Sequence, residues 1–270
     1  MGNAVKAEYR KIFSTKMWWA LLIPAAVIAF VLDLAGAIVA GSRPANSGFT
    51  VPPTLLGLGV SFTFTAIFAA IFGSMAISGE FRHRVIGTTY LTSRSRGTVL
   101  GAKLLAYTGM GLVYGVVTLL SGTLGALAGD GSNALPSGAT WPLVSLVEIV
   151  VIVLWTLLGV GFGGLISNQI AAVVVLLAYT LVGETVIGLL LNALHASSAT
   201  FYLPSNAASD MVIRFAIDQL VNQGQPLTTV QQDLGAVGVP SWWVSGLVFV
   251  AYTAVFAGLG WAVNRRRDIT

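Results

Sequence analysis

The sequence of 270 residues contains no cysteine and few charged side chains. The absence of cysteine excludes disulfide bonds, thiolate metal centres and a cysteine nucleophile, and two histidines are too few for a multi-histidine metal site. Charged residues make up 9% of the chain, whereas soluble proteins carry about 25%. A water-soluble fold is therefore excluded, because so few charges cannot cover the surface of a chain of this length.

Long apolar stretches are what the sequence has in abundance. Apolar residues make up 56% of the chain, and six stretches reach the ~20 residues with which a helix crosses a membrane. Helices and closed barrels alone satisfy every backbone group in lipid, and uninterrupted stretches of this length indicate helices. We therefore predict an all-α membrane protein with one transmembrane domain over residues 17–270. Its six predicted spans are residues 17–40, 54–78, 98–128, 141–166, 170–191 and 241–263.

The basic residues predict the orientation of the spans, because lysine and arginine are retained on the cytoplasmic side of a membrane. Four precede span one, five lie between spans two and three or in the first turns of span three, and three follow span six. Only Arg43 and Arg214 fall in the alternate segments. We therefore expect a multi-pass protein with both termini in the cytoplasm.

Residues 1–16 have the pattern of a helix that lies in the plane of the membrane. Val5, Tyr9, Ile12 and Phe13 fall on one helical face, and the basic side chains fall elsewhere. An interfacial helix is therefore predicted before span one. Its candidate functional residues are Tyr9, Arg10, Lys11 and Phe13.

Two connections on the cytoplasmic side differ in length. Residues 167–169 alone separate spans four and five, which predicts a tight antiparallel hairpin of neighbouring spans. The connection between spans two and three is longer and basic, and its Phe81, Val85 and Ile86 share a helical face, which predicts a short amphipathic helix. Its arginines either contact anionic lipid headgroups or, with Glu80, bind a protein partner through directional ion pairs.

The external segment of residues 192–240 is too long for a turn. Ser205 or Asn206 is suited to cap a first helix, and Thr229 begins the spacing of a capping box for a second, shorter one. Residues 192–202 are predicted to dip back into the membrane. The external helices are therefore expected to be partly re-entrant.

Three carboxylates lie within spans, where an acidic side chain is costly. With a rise of 1.5 Å per residue, Asp33 lies about 24 Å from the cytoplasmic start of span one, Glu184 about 21 Å into span five and Glu148 about 10 Å from the external start of span four. All three fall in the outer half of the membrane. Each alone is typical of a carboxylate that contacts water or a neighbouring helix, and together they predict an acidic vestibule on the path of cationic cargo.

No motif of nucleotide hydrolysis or of a hydrolase is present. Residues 97–103 fall short of a phosphate-binding loop, because the glycines are too close together and Leu104 occupies the position of the required serine or threonine. We therefore expect that the chain is not an enzyme by itself. A self-contained secondary transporter or channel that uses Glu148 and Glu184 as a proton or cation relay is one candidate function.

Two segments have a distinctive pattern: Ala7–Ile12 with Trp18 and Trp19, and residues 78–89 with Arg94–Gly97 and Lys103. They resemble the half-size permeases of the ABC type 2 exporter family, in particular those of actinobacteria, and the second segment is the more specific. The likeness covers nearly the whole chain. In that family the second segment contains the coupling helix, which docks on a separate ATPase. The residues that the resemblance assigns to this contact are Gly79, Glu80, Phe81, Arg82, His83, Arg84, Arg94 and Arg96.

The resemblance implies an ATP-driven exporter in a bacterial plasma membrane. Two permease subunits, identical or related, would sit on two ATPase subunits, and ATP and magnesium would bind to the ATPase alone. The cargo implied is a hydrophobic or amphipathic compound such as a drug, a peptide or a lipid, with the acidic outer half favouring cations. Membrane lipid is a further partner, and no nucleic-acid partner is expected.

Overall fold

The fold is described by a computed structural model that covers residues 2–43, 51–82, 96–166 and 168–266. The structure is 88% helical, and these residues contain no β-strand. The predicted all-α class is therefore confirmed. The helices are α1 (Gly2–Ser14), α2 (Met17–Gly41), α3 (Pro53–Arg82), α4 (Arg96–Asp130), α5 (Thr140–Leu165), α6 (Gln169–Ala178), α7 (Glu184–Ala193), α8 (Pro204–Asn222), α9 (Leu227–Asp233) and α10 (Trp242–Arg266).

Six helices within the described residues are long and apolar enough to cross a membrane, which confirms the predicted number of spans. Spans one to four are α2, α3, α4 and α5, and span six is α10. Span five consists of α6 and α7, which a π-helical turn over Tyr179–Gly183 joins into one continuous helix. Short 3-10 helices follow span three (Gly131–Ala134) and span five (Ser197–Tyr202).

Span two is longer than predicted. The helix continues to Arg82, so Gly79 and Glu80 lie on its last turns and not in the connection that follows. No proline interrupts this stretch, and the Ser78 hydroxyl donates to the Ser74 carbonyl oxygen inside the helix at 2.6 Å. The side chain of Glu80 is thereby fixed to a span.

Spans two and four form the centre of the bundle. In span two 72% of an 18-residue apolar stretch is buried inside the protein, whereas in span five only 17% of such a stretch is buried. Span one packs against spans two and three, and span four packs against spans two, three and six. Span five packs against span two and has few contacts with span four, so the two arms of the predicted hairpin do not pack closely.

Small residues allow the central spans to approach each other closely. A Cβ atom added at Gly159 or Gly163 of span four would collide with backbone atoms of Ala70 or Ser74 in span two. These glycines have the G-x-x-x-G spacing that permits close helix contact in membranes. The motif is therefore used within one chain.

The two ends of the helix bundle contain different helices, and we name one of them by its basic residues. The basic end contains α1, the last turn of span two, the first turns of span three and Arg265 of span six. At this end α1 packs against span three: Ile12 is buried, and Val5 and Tyr9 contact the core. Phe13, predicted on the same face, is 54% exposed. The opposite end contains α8 and α9.

The two predicted helices at the opposite end are present, but each begins one or two residues before its predicted cap. α8 starts at Pro204 with proline in its first turn, and α9 starts after Pro226. Neither residue before these helices makes a side-chain capping bond. The capping predictions for Ser205, Asn206 and Thr229 are therefore wrong. In α8 the start is earlier because proline favours the first helical position, which Pro204 occupies.

Candidate functional site

The basic end brings together four charged side chains that are far apart in the sequence. Glu8 and Lys11 lie one turn apart on α1, Glu80 lies on the last turns of span two, and Lys103 lies in the second turn of span three. We call these residues the four-charge cluster. It contains two carboxylates and two ammonium groups, so its formal charge is zero.

The geometry of the four-charge cluster is a closed set of ion pairs. The Lys11 ammonium lies 2.8 Å from Glu8 Oε1 and 2.8 Å from Glu80 Oε1. The Lys103 ammonium lies 2.9 Å from Glu8 Oε2 and 2.7 Å from Glu80 Oε1. Each lysine therefore bridges α1 to span two, and each carboxylate is held by both lysines.

Lys103 occupies the most buried position of the cluster. Its side chain is 4% exposed, and its ammonium donates to Glu8, to Glu80 and to the Ala76 carbonyl oxygen at 3.1 Å. All three N–H bonds of the ammonium thus have acceptors. A buried charge is tolerated only when it is paired and hydrogen-bonded in this way.

The charged forms of the two α1 residues are stabilised by their partners. Burial alone would raise the pKa of Glu8, but the ammonium groups of Lys103 and Lys11 outweigh burial and lower it below its ordinary value. Burial alone would lower the pKa of Lys11, but hydrogen bonds and attraction from Glu8 and Glu80 raise it. Glu8 and Lys11 are therefore both charged over the physiological pH range.

An open cavity of about 260 Å³ adjoins the four-charge cluster. The cluster forms its polar wall, and Phe72, Met75 and Tyr107 form an apolar wall. Phe72 and Tyr107 lie with ring centroids 5.0 Å apart. The cavity thus offers both charged and apolar contacts at the basic end.

The other residues predicted at the basic end lie at helix ends or outside the described residues. Gly79 lies on the helix of span two beside Glu80, and no atom would lie within 4 Å of a Cβ there. Phe81, Arg82 and Arg96 lie on helical backbone, and their side chains are not among those described. His83, Arg84 and Arg94, and with them the predicted amphipathic helix, lie outside the described residues.

The predicted residues of α1 face in different directions. Tyr9 packs against span three, where a Cβ at Gly109 would collide with its hydroxyl. Phe13 stacks on Tyr9 with centroids 6.2 Å apart and meets Trp18 edge-on at 5.4 Å. Arg10 is exposed, and Lys11 belongs to the four-charge cluster.

Glu8 and Lys103 are cluster residues that the sequence prediction did not include among the candidates. A signal for them is present, because a lysine within an apolar span needs an acidic partner, and few acidic residues lie near the predicted cytoplasmic ends. The pairing itself joins residues 95 positions apart. Helix packing produces it, and sequence spacing does not reveal it.

The three predicted acids of the spans do not lie together. Asp33 and Glu148 line one small cavity between spans one to four, and both are buried. Ser61 donates a hydrogen bond to Asp33 Oδ1 at 2.9 Å. Glu184 instead accepts hydrogen bonds from the Ser205 backbone N–H, at 2.9 and 3.2 Å, and so caps the first turn of α8 from span five.

Residues 4–183 match the model of a protein family described as ABC-2 family transporter protein. The matched stretch begins in α1 and ends at the π-helical turn of span five, so it contains the four-charge cluster and the cavity of Asp33 and Glu148. The sequence matches none of the curated proteins.

Proposed function

Since this chain belongs to the ABC-2 transporter family, we propose that it is the permease subunit of an ATP-driven exporter whose ATPase is a separate protein. Two permeases, identical or related, would bind two ATPases on the cytoplasmic side of a bacterial plasma membrane. ATP and magnesium would bind only to the ATPases. The chain itself is a membrane transport component and not a catalyst.

The four-charge cluster is the observation that carries the proposal of coupling to an ATPase. It joins α1 to the two helices that lead into and out of residues 83–95, the segment proposed to dock on the ATPase. A force on that segment would act on Glu80 and Lys103 at once. Through Glu8 and Lys11 it would also move α1, so that three helices respond together.

The docking residues themselves are proposed from the family pattern. They are Gly79, Glu80, Phe81, Arg82, His83, Arg84, Arg94 and Arg96, and the interfacial residues Tyr9, Arg10, Lys11 and Phe13 would follow their movement. Arginine suits such a contact because its planar guanidinium binds carboxylates with defined geometry.

The proposed cargo is a hydrophobic or amphipathic compound such as a drug, a peptide or a lipid. Asp33, Glu148 and Glu184 are the candidates for its path through the outer half of the membrane, where acidic groups favour positively charged compounds. The open cavity at the basic end has the mixed polar and apolar walls that an amphipathic compound needs.

The coupling proposal is tested by Glu80→Gln in vesicles that contain the permease and its ATPase. Glu80 accepts charge-assisted bonds from both lysines, each worth about 1.5 kcal/mol or more, so we expect ATP-dependent export to fall by about tenfold or more. Lys11→Met removes the ion pair between Lys11 and Glu80 at a half-exposed position, where a substitution disturbs folding least. Lys6→Met, on the exposed side of the same helix, is the matched control and should export normally.

Co-purification with the ATPase and thermal stability must be measured for each variant. Loss of export with an intact complex supports coupling through the four-charge cluster. Unchanged ATP-dependent export by Glu80→Gln contradicts it, and export without any ATPase contradicts the proposed exporter as a whole.

A further inference from the structure

The small cavity between spans one to four is lined by many oxygen-bearing side chains, beside Ala29, Leu119, Gly122 and Trp141. Asp33 and Glu148 contribute carboxyl groups, and both residues are more than nine-tenths buried, with 8% and 6% of their surface exposed. The remaining polar lining consists mostly of hydroxyl groups. They belong to Thr54, Ser61, Thr65, Thr118 and Thr123.

Each hydroxyl group in this lining already uses its proton. Ser61 donates to Asp33 at 2.9 Å. The four threonines donate to backbone carbonyl oxygens at 2.7 to 3.0 Å, those of Ala134, Phe62, Tyr114 and Leu119. A hydroxyl has one proton and two lone pairs, so what these groups can offer to an occupant of the cavity is lone pairs.

Glu148 has no hydrogen-bond partner within the described part of the chain. It lines the same cavity as Asp33, where two ionised carboxylates would repel each other. No lysine or arginine is among the lining residues, and Trp141 alone among them carries a side-chain N–H. Two carboxylates in such surroundings must be neutralised, because an unpaired buried charge is strongly unfavourable.

Asp33 is held in position by the backbone of two neighbouring spans. A Cβ atom at Gly57 of span two or Gly122 of span three would collide with its carboxylate oxygens. The carboxylate therefore lies between these two helices, where only glycine leaves room for it. The site is built by four spans and not by a mobile side chain.

We propose that this cavity binds one hard metal cation, an alkali or alkaline-earth ion, through Asp33, Glu148 and the surrounding hydroxyl oxygens. Hard cations prefer carboxylate, hydroxyl and carbonyl oxygens and need several of them at once. A cation satisfies the unpartnered Glu148 and the spare lone pairs together. Binding would join span one to spans two, three and four. Cation binding at this site goes beyond the proposed function, because it requires neither an ATPase nor cargo.

The test uses the purified full-length chain in lipid nanodiscs without an ATPase. Thermal unfolding is followed during titration with NaCl, KCl, MgCl₂ or CaCl₂, with N-methyl-D-glucamine chloride keeping the ionic strength constant. We expect one of these ions to raise Tm saturably, by about 5 °C, because a ligand of the folded state stabilises it by mass action. The salt that raises Tm identifies the bound ion.

Glu148→Gln and Asp33→Asn should each abolish the rise in Tm. Glu184→Gln, which removes a span carboxylate outside this cavity, is the matched control and should keep it. Where a variant fails to fold, binding of the ion that raised Tm decides alone. It is measured with a radioactive isotope of that ion on the wild-type chain, with and without excess unlabelled ion. Equal Tm in all salts, or an ion effect that survives both cavity variants, overturns the proposal.

Discussion

Asp210 on α8 is half-buried, and its buried Oδ2 atom has no hydrogen-bond partner in the described residues. Burial raises the pKa of Asp210 from 3.8 to about 7. Between these two values the folded chain holds a proton that the unfolded chain has released. The free energy of unfolding therefore decreases as the pH rises from about 4 to about 7, since the folded state binds more protons there.

We expect Asp210→Asn to remove this pH dependence. Above pH 7 the amide replaces a buried carboxylate, and Tm should rise by several degrees, corresponding to a stabilisation on the order of 2 kcal/mol. Near pH 4 both forms are neutral, and Tm should differ little from that of the wild type. Thermal unfolding of both proteins at pH 5 and pH 8 measures the difference. A gain of the same size at both pH values would show that charge is not its cause.

The four-charge cluster shows what residue patterns predict and what they leave out. Lys11 and Glu80 are recognisable as candidates because each stands in a segment with a clear pattern. Glu8 and Lys103 become part of the same site only through the packing of α1 on span three. The separation of Asp33 and Glu148 from Glu184 has the same origin, because depth in the membrane can be estimated from the sequence but neighbours around the bundle cannot.

At the scale of helices, the glycines of span four decide how closely the central spans pack. We expect Gly163→Ala to lower Tm by about 5 °C or more, because the added methyl group meets the Ser74 backbone and overpacking costs about 1–3 kcal/mol. Gly258→Ala is the matched control, since no atom lies within 4 Å of the added carbon. Thermal unfolding in nanodiscs compares the two, and an equal Tm would contradict close packing at Gly163.

The membrane-spanning helices were largely predictable, because each one coincides with a long stretch of apolar residues in the sequence. The predictions failed at helix ends, where tertiary contacts and proline act. Span two extends to Arg82 beyond its apolar stretch. The first turn of α8 is capped by Glu184 of span five, which lies 21 residues before Ser205 in the sequence. The residue pattern around α8 therefore could not predict this cap.

For the whole molecule, the six antiparallel spans place α1 and the end of span six at the same end of the bundle. Asn264 of span six donates to the Gly164 carbonyl oxygen at 2.9 Å, beside the turn that begins span five. From the positive-inside rule we expect this basic end to lie in the cytoplasm. We expect α9, at the opposite end, to lie outside the cell.

The absence of cysteine makes this topology directly testable, because a single introduced cysteine is then the one thiol of the chain that a maleimide can label. We expect a membrane-impermeant maleimide to label Gln232→Cys, at an exposed site on α9, in intact cells. Ser14→Cys, at the exposed end of α1, should be labelled only after the membrane is permeabilised. The unsubstituted chain is the control for both and should remain unlabelled. The reverse pattern would place the four-charge cluster outside the cell, where no ATPase could reach it, and would contradict the coupling proposal together with the topology.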